Sequence, residues 1–273
     1  MVISLTGGPR VALVGVPFDG QSSFRKGASQ APSVIRSAWH SPSSNMYSEN
    51  GTLVDDSLVR DLGDVQFPDG ADPFSAIESK VDGALKEGYR PICLGGDHSI
   101  TYPIVKSVAR VHRNLNILHI DAHPDIYESY EGSRLSHACP FARIMEDRLA
   151  SRLVQVGIRT MSQHQRDQAA RFGVEAVEMK DWTGEVELEF SGPLYLSLDI
   201  DALDPAFAPG VSHREPGGLS TRDVIRTVQS LTGQIVAADI VEFNPVVDTP
   251  GMTDMVCAKL LKEIAARMAS DSR

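Results

Sequence analysis

The sequence predicts an α/β fold: one domain on a mostly parallel sheet with helices covering both faces. Three observations carry this. Short β-branched runs alternate with segments of helical apolar period, no linker or low-complexity tract divides them, and clusters of acids and histidines follow directly on the strand-like runs. In chain order, VALVGV (11–16) reads as the first buried strand, and the Ser-, Asn-, Asp- and Gly-rich stretch 40–70 as loop. DPFSAIESKVDGALKEG (72–88) has an acidic start, an apolar helical period and a glycine stop, so it reads as a helix. PICL (91–94) is a strand, SITYPIVKSVARVH (99–112) a helix with Pro103 in its first turn, and NILHI (116–120) a strand. HACPFARIMEDRLASR (137–152) reads as a helix with Pro140 in its first turn, followed by the strand RLVQVG (152–157). LYLSLDI (194–200) and IVAADIVEF (235–243) are strands flanking the helix STRDVIRTVQSL (220–231), and GMTDMVCAKLLKEIAARMA (251–269) closes the pattern as a helix. The expectation is a single domain over 1–273.

Composition narrows the function classes. A hydrophobic content of 42% supports a full core, and a formal net charge of −10 argues against nucleic acid or an anionic membrane surface as partner. No segment approaches the roughly 20 apolar residues of a membrane span. Cys93, Cys139 and Cys257 are widely spaced and odd in number, which fits a reducing compartment better than a disulfide framework. The start, MVISLTGGPRVALVGVPF, lacks the charged-then-apolar order of a secretion signal. Cytoplasmic location is the resulting expectation.

The chemistry lies just past the strands, where open parallel sheets collect ligands. PICL leads into GGDHSI with Asp97 and His98, NILHI into DAHPD, LYLSL into DIDALDP, and IVAADIV into EFNP with Glu242. Strand residues at i and i+2 share a face, so Asp121 points with His123, and Asp199 with Asp201. Pro124 ends the ladder, leaving Asp125 free to turn back toward them. Taken alone, each motif has a plainer reading as a helix cap or a satisfied polar pair, and Asp97 fits a cap in particular. Together, His98, His123, Asp121, Asp125, Asp199 and Asp201 form a set of acids and imidazoles with no accompanying Lys or Arg cluster. Gathered carboxylates raise one another's pKa and resist burial, a cost that divalent cations remove. The set exceeds what one ion needs, matches a two-metal site, and by its carboxylate weight favours Mn²⁺ over structural Zn²⁺.

GGDHS, DAHPDIY, SLDIDALDPAFAPG and VEFNP resemble, in order and spacing, the motifs of the ureohydrolases, the family of arginases and agmatinases. DAHPDIYESYEGSRLSHACPFARIMED and PGVSHREPGGLS are most similar to the plant-type arginase branch. The resemblance implies a three-layer α/β/α sandwich with about eight strands, a homo-oligomer (trimer or hexamer), and two Mn²⁺ per chain. It assigns His98, Asp121, Asp125 and Asp199 to one ion, and Asp121, His123, Asp199 and Asp201 to the other. It implies hydrolysis of a small cationic guanidino substrate to urea and an amine. Asp125, His137 and Glu242 are then catalytic: His137 matches the proton-shuttle histidine and Glu242 the acid facing the guanidinium. Ser133 joins His137 and Glu242 as a substrate contact. His119 reads as a core histidine supporting the ligands; His213 and Glu215 lie near the mouth, and Arg134 is a possible carboxylate partner that equally suits solvent. L-Arginine is the favoured substrate, with agmatine or another guanidino compound as the alternative. Two rivals come from other classes: a single-zinc deacylase, which needs one Asp–His–Asp set only, and a non-catalytic, metal-stabilised oligomer.

Overall fold

The computed structural model describes residues 11–185, 188–249 and 251–270. Residues 1–10, on which the expected absence of a secretion signal partly rests, lie outside the described residues. Eight strands are present among those described: β1 (Val11–Gly15), β2 (Val59–Asp64), β3 (Arg90–Leu94), β4 (Asn116–Ile120), β5 (Arg152–Ile158), β6 (Glu175–Glu178), β7 (Pro193–Asp199) and β8 (Gln234–Val241). They pair parallel throughout in one sheet, ordered β2-β1-β3-β8-β7-β4-β5-β6. The α-helices are α1 (Ala31–Trp39), α2 (Pro73–Lys86), α3 (Thr101–Val111), α4 (Pro140–Glu146), α5 (Gln163–Phe172), α6 (Thr221–Ser230) and α7 (Thr253–Ser270).

Alternate strand residues feed two apolar layers, as a sheet covered on both faces requires. On one face Leu13, Ile92, Leu118 and Leu196 pack with Ile35 of α1, Val224 of α6 and Leu261 of α7. On the other, Val14, Cys93, Ile117 and Tyr195 pack with Ile77 of α2, Ile104 of α3 and Phe141 of α4. The result is the expected three-layer α/β/α sandwich.

The predicted strands and most predicted helices stand within a residue or two. The stretch 40–70, predicted as loop, contains β2, an edge strand whose charged sequence VRDLGD leaves most of its residues partly or fully exposed. β6 sits at the opposite edge and is likewise poorly buried. Helices α1 and α5 also lie outside the predicted elements. α4 is shorter than the predicted 137–152 because residues before it are held elsewhere: the His137 N–H donates to Gln21 O, and Cys139 is the N-cap. It ends at Glu146, where Arg148 takes a left-handed φ of 55°.

Candidate active site

The strands that lead into GGDHS, DAHPD, DIDALDP and EFNP are β3, β4, β7 and β8, and these are the contiguous centre of the sheet, β3-β8-β7-β4. Neighbouring strands lie about 4.8 Å apart, so their carboxyl ends bring residues from 97 to 242 into one patch. Local devices aim the side chains. Asp121 Oδ1 accepts from the His123 N–H (2.7 Å) and Asp199 Oδ1 from the Asp201 N–H (2.7 Å), each folding the chain back over its own carboxylate. Asp125 (φ 43°) and Glu242 (φ 63°) both adopt the left-handed region, uncommon without glycine and concentrated where function dictates backbone geometry.

His98 Nδ1 lies 3.3 Å from Asp121, 3.0 Å from Asp125 and 3.2 Å from Asp199. Despite these three acids it is a buried nitrogen with no satisfactory hydrogen bond. Its other nitrogen explains why. His98 Nε2 meets Ser197 Oγ at 3.0 Å, and the one hydroxyl proton of Ser197 goes to Asp239 Oδ1 (2.7 Å). Asp239 also accepts from Thr101 Oγ1 (2.7 Å) and from the Tyr195 hydroxyl. Ser197 therefore accepts from Nε2–H, and the bare Nδ1 lone pair faces three carboxylates. Only a cation or an added proton makes that juxtaposition favourable. An imidazole held through its far nitrogen in this way is the usual arrangement of a metal ligand.

Among the described residues three groups are spaced to hold ions, all sharing Asp121: His98, Asp121, Asp125 and Asp199, all buried; Asp121, His123 and Asp201; and His98, His119 and Asp121, of which His119 already donates to Asp121. Asp199 falls in the first group but not the second, so of the two bridging acids implied by the resemblance Asp121 alone belongs to both. Electrostatics agree with a cation site. Burial together with the like charges of Asp201 and Asp121 pushes Asp199 well above the carboxylate range, and burial pushes Asp201 up to about 6. Burial disfavours charge on His98, but the adjoining carboxylates of Asp121, Asp125 and Asp199 outweigh it and raise its pKa well above the ordinary value. In the absence of metal, the cluster gathers protons instead. His119, fully buried, places Nε2 2.7 Å from Asp121 Oδ2. Gln155 Nε2 donates to Pro124 O (2.7 Å) and meets His119 Nδ1 at 3.0 Å, so Nδ1 accepts and Nε2–H donates to Asp121. Burial keeps that ring's pKa low, consistent with a neutral donor.

Beside the cluster opens a cavity of about 300 Å³, lined by His123, Asp125, Asp199 and Asp201 together with His137, Glu242, His213 and Ser23. Glu242 Oε1 accepts from the His98 N–H (2.8 Å) and lies 3.1 Å from His137 Nδ1. Burial works against the His137 charge, yet Glu242 lifts its pKa to about 9; burial opposes Glu242 in turn, and His137 holds that acid below its ordinary value. The pair is an imidazolium and a carboxylate at neutral pH. His213 stacks on His137 (5.3 Å between centroids, 27°) and so reaches the cavity.

Other residues singled out from sequence stand elsewhere. Ser133 is absent from the cavity lining and donates its hydroxyl to Gln21 Oε1 (3.0 Å). Arg134 is exposed and pairs with Glu146 (2.8 Å) and Glu128, its charge answered outside the site. Glu215 contributes a backbone carbonyl to Arg159. Asp97 accepts from the Ser99 N–H and the Gln21 N–H, a cap and a loop anchor. Sequence reasoning missed Ser23, Gln155, Ser197 and Asp239. The last three carried a signal: each is a polar residue inside an otherwise apolar strand, where burial demands a partner.

Against this geometry, comparisons with known proteins agree. The family model described as "Arginase family" matches residues 9–266. The chain is 45% identical to "Arginase 1, mitochondrial" of Arabidopsis thaliana, over 98% of this chain and 84% of that protein. The structure of arginase from Medicago truncatula superposes with a TM-score of 0.89 at 41% identity, covering 96% of this chain and 88% of that one. "Agmatinase, mitochondrial" of Gallus gallus is more distant, at 36% identity over 93% of this chain and 76% of its own length. These names correct the cytoplasmic expectation. Plant relatives are named mitochondrial or chloroplastic/mitochondrial, and none of these names is cytoplasmic. Unpaired cysteines report a reducing compartment without telling one such compartment from another, and the lack of a charged-then-apolar start bears on secretion alone. The sheet order, the shared-acid cluster and the match across nearly all the described residues lead to one conclusion: the chain belongs to the arginase family.

Proposed function

We propose that this protein is an arginase, hydrolysing L-arginine to L-ornithine and urea, with two Mn²⁺ per chain. The observation that carries the reading is the pair of ion-spaced groups joined through Asp121, set in a cavity that also holds the His137–Glu242 pair. His98, Asp121, Asp125 and Asp199 would hold one ion; Asp121, His123 and Asp201 the other, to which the family resemblance adds Asp199. When bound, two divalent ions supply Lewis acidity that brings the pKa of water toward about 7 and makes hydroxide available at neutral pH. The chain's own residues do the rest. Anionic Glu242 faces the cavity and complements a planar guanidinium. His137, protonated through its pairing with Glu242, holds a proton for the departing amine. Ser197 and Asp239 fix the ring of His98, and His119 with Gln155 fixes Asp121, so the acids and imidazoles do not have to reorganise as charge develops.

Agmatine hydrolysis is the second reading, and one observation favours it. Tyr127, Tyr130, Thr160, Met161, Ser162 and Gln165 line the cavity and are uncharged, so the α-carboxylate of arginine meets hydroxyls and an amide there and no cationic partner among them. Urea release from L-arginine and agmatine, measured in parallel on Mn²⁺-loaded and metal-stripped protein, decides between them. Metal-dependent urea from arginine is expected; a preference for agmatine overturns the substrate, and urea from neither overturns the activity. Elemental analysis should find two Mn²⁺ per chain, against one zinc for a deacylase. The same reading includes a single domain over 1–273 and a homo-oligomer, trimer or hexamer, to be checked by light scattering.

A further inference from the structure

His137 has two ring nitrogens, and the proposed chemistry accounts for one neighbour only. Nδ1 lies toward Glu242 Oε1, an anion at neutral pH, so that nitrogen keeps its proton. The proton that moves is therefore on Nε2. Nε2 lies 2.8 Å from Ser23 Oγ. Ser23 is half-buried and lines the same cavity, so its hydroxyl has the ring on one side and the cavity on the other. The loop that carries it is bolted down from three directions. The Gln21 N–H donates to Asp97 Oδ2 (2.8 Å), and Ser22 Oγ reaches the same oxygen at 3.4 Å. Gln21 Oε1 accepts from Ser133 Oγ (3.0 Å), and Gln21 O accepts from the His137 N–H (3.4 Å). Asp97 and Ser133 thus both serve to place residues 21–23 against His137.

We propose that Ser23 is the proton relay between His137 and solvent. This rests on the reading of His137 as the proton donor. In each turnover the Nε2 proton passes to the nitrogen of the departing amine as the C–N bond breaks. Ser23 Oγ–H then gives its proton to Nε2 while Oγ takes one from a water or buffer acid in the cavity mouth. The proton shed when the attacking water becomes hydroxide balances the one carried off by the amine, so no net charge accumulates. A hydroxyl suits this because it accepts and donates at one atom. The charged and titratable groups facing His137 are Glu242, Asp125, Asp97 and His213; the first three are acids that favour its charged form, and His213 is stacked on the ring.

The test compares wild type, Ser23→Ala and Ser23→Thr on arginine. Ser23→Ala is expected to lower kcat by about tenfold or more, a part of the 10²–10⁴-fold that a positioned acid supplies, with KM within twofold and two Mn²⁺ retained. Ser23→Thr should restore kcat, and a small diffusible acid such as imidazolium should rescue the Ala variant while leaving wild type unchanged. A second arm needs no turnover. In ¹⁵N-histidine spectra, Ser23→Ala should shift Nε2 of His137 and leave Nδ1 in place. Unchanged kcat in Ser23→Ala, a loss that diffusible acid does not rescue, or an unmoved Nε2 resonance overturns the relay. Wild type releasing no urea from either substrate overturns the functional reading instead, and the ring spectra still decide whether Ser23 holds Nε2.

Discussion

His98 and His137 are both histidines beside acids, yet their surroundings prepare them for opposite roles. His98 surrenders its Nε2 proton to a hydrogen bond with Ser197, which frees Nδ1 for a cation; His137 keeps a proton on each nitrogen, because Glu242 lifts its pKa to about 9. The division makes a sharp prediction. His137→Ala should reduce kcat by about 10²–10⁴-fold while elemental analysis still finds two Mn²⁺ per chain. Loss of metal along with activity would mean that His137 supports the ligand cluster rather than supplying a proton. The metal-type acids and His137 were legible in the sequence, the former because alternate residues at a strand end share a face and the latter through family resemblance alone. Ser23 was not legible, since its contact spans 114 residues and depends on a loop that Asp97 fixes from another strand.

At the scale of elements, the turn after β3 shows how tightly backbone sets the site. Gly96 passes so close to the first loop that an added Cβ would lie 1.6 Å from Phe18 O, while its own carbonyl accepts from the Glu242 N–H (2.9 Å). Gly96→Ala should therefore destabilise by more than ~2 kcal/mol, read as a drop in the denaturant midpoint of unfolding, and should disturb Glu242 and the neighbouring His98. A midpoint within error of wild type would show that the loop yields instead. The same scale explains which elements sequence could reveal. Central strands such as NILHI and LYLSL are continuously apolar because both faces are covered, so they stand out. β2 and β6 lie at the edges, half exposed and carrying charges, and their pattern merges with loop. Helix α5 is polar on most of its surface; its signal was the Ser162–Gln165 capping box rather than apolar period.

For the whole molecule, the acid cluster trades stability for metal affinity. Asp199 is buried against Asp201 and Asp121, so without a metal the folded chain takes up a proton there, at a cost in stability. Mn²⁺ at a hundred times its Kd should add about 2.7 kcal/mol per site by mass action, raising Tm by roughly 5–10 °C for one site in a domain of this size. Asp199→Asn should raise the Tm of the metal-free chain, since a neutral amide folds without that proton uptake, and should shrink the Mn²⁺-induced rise. Calorimetry with and without a chelator reads both; a variant that keeps the full metal-induced rise would take Asp199 out of the ligand set.

The sheet order has one more consequence, and it concerns assembly in time. β8, the last strand of the chain, does not add to an edge; it fills the slot between β3 and β7 and pairs with both. A nascent chain that has emerged only as far as residue 233 can form β2-β1-β3 and β7-β4-β5-β6, but these halves have no strand to join them. Glu242 follows that closing strand directly, so the ligands from β3 meet those from β4 and β7 only when β8 zips the halves together. Such long-range parallel pairing is slow to form. The finished sheet and the full cation site are thus completed in a single late event, when His98 joins the five acids and imidazoles at the ends of β4 and β7.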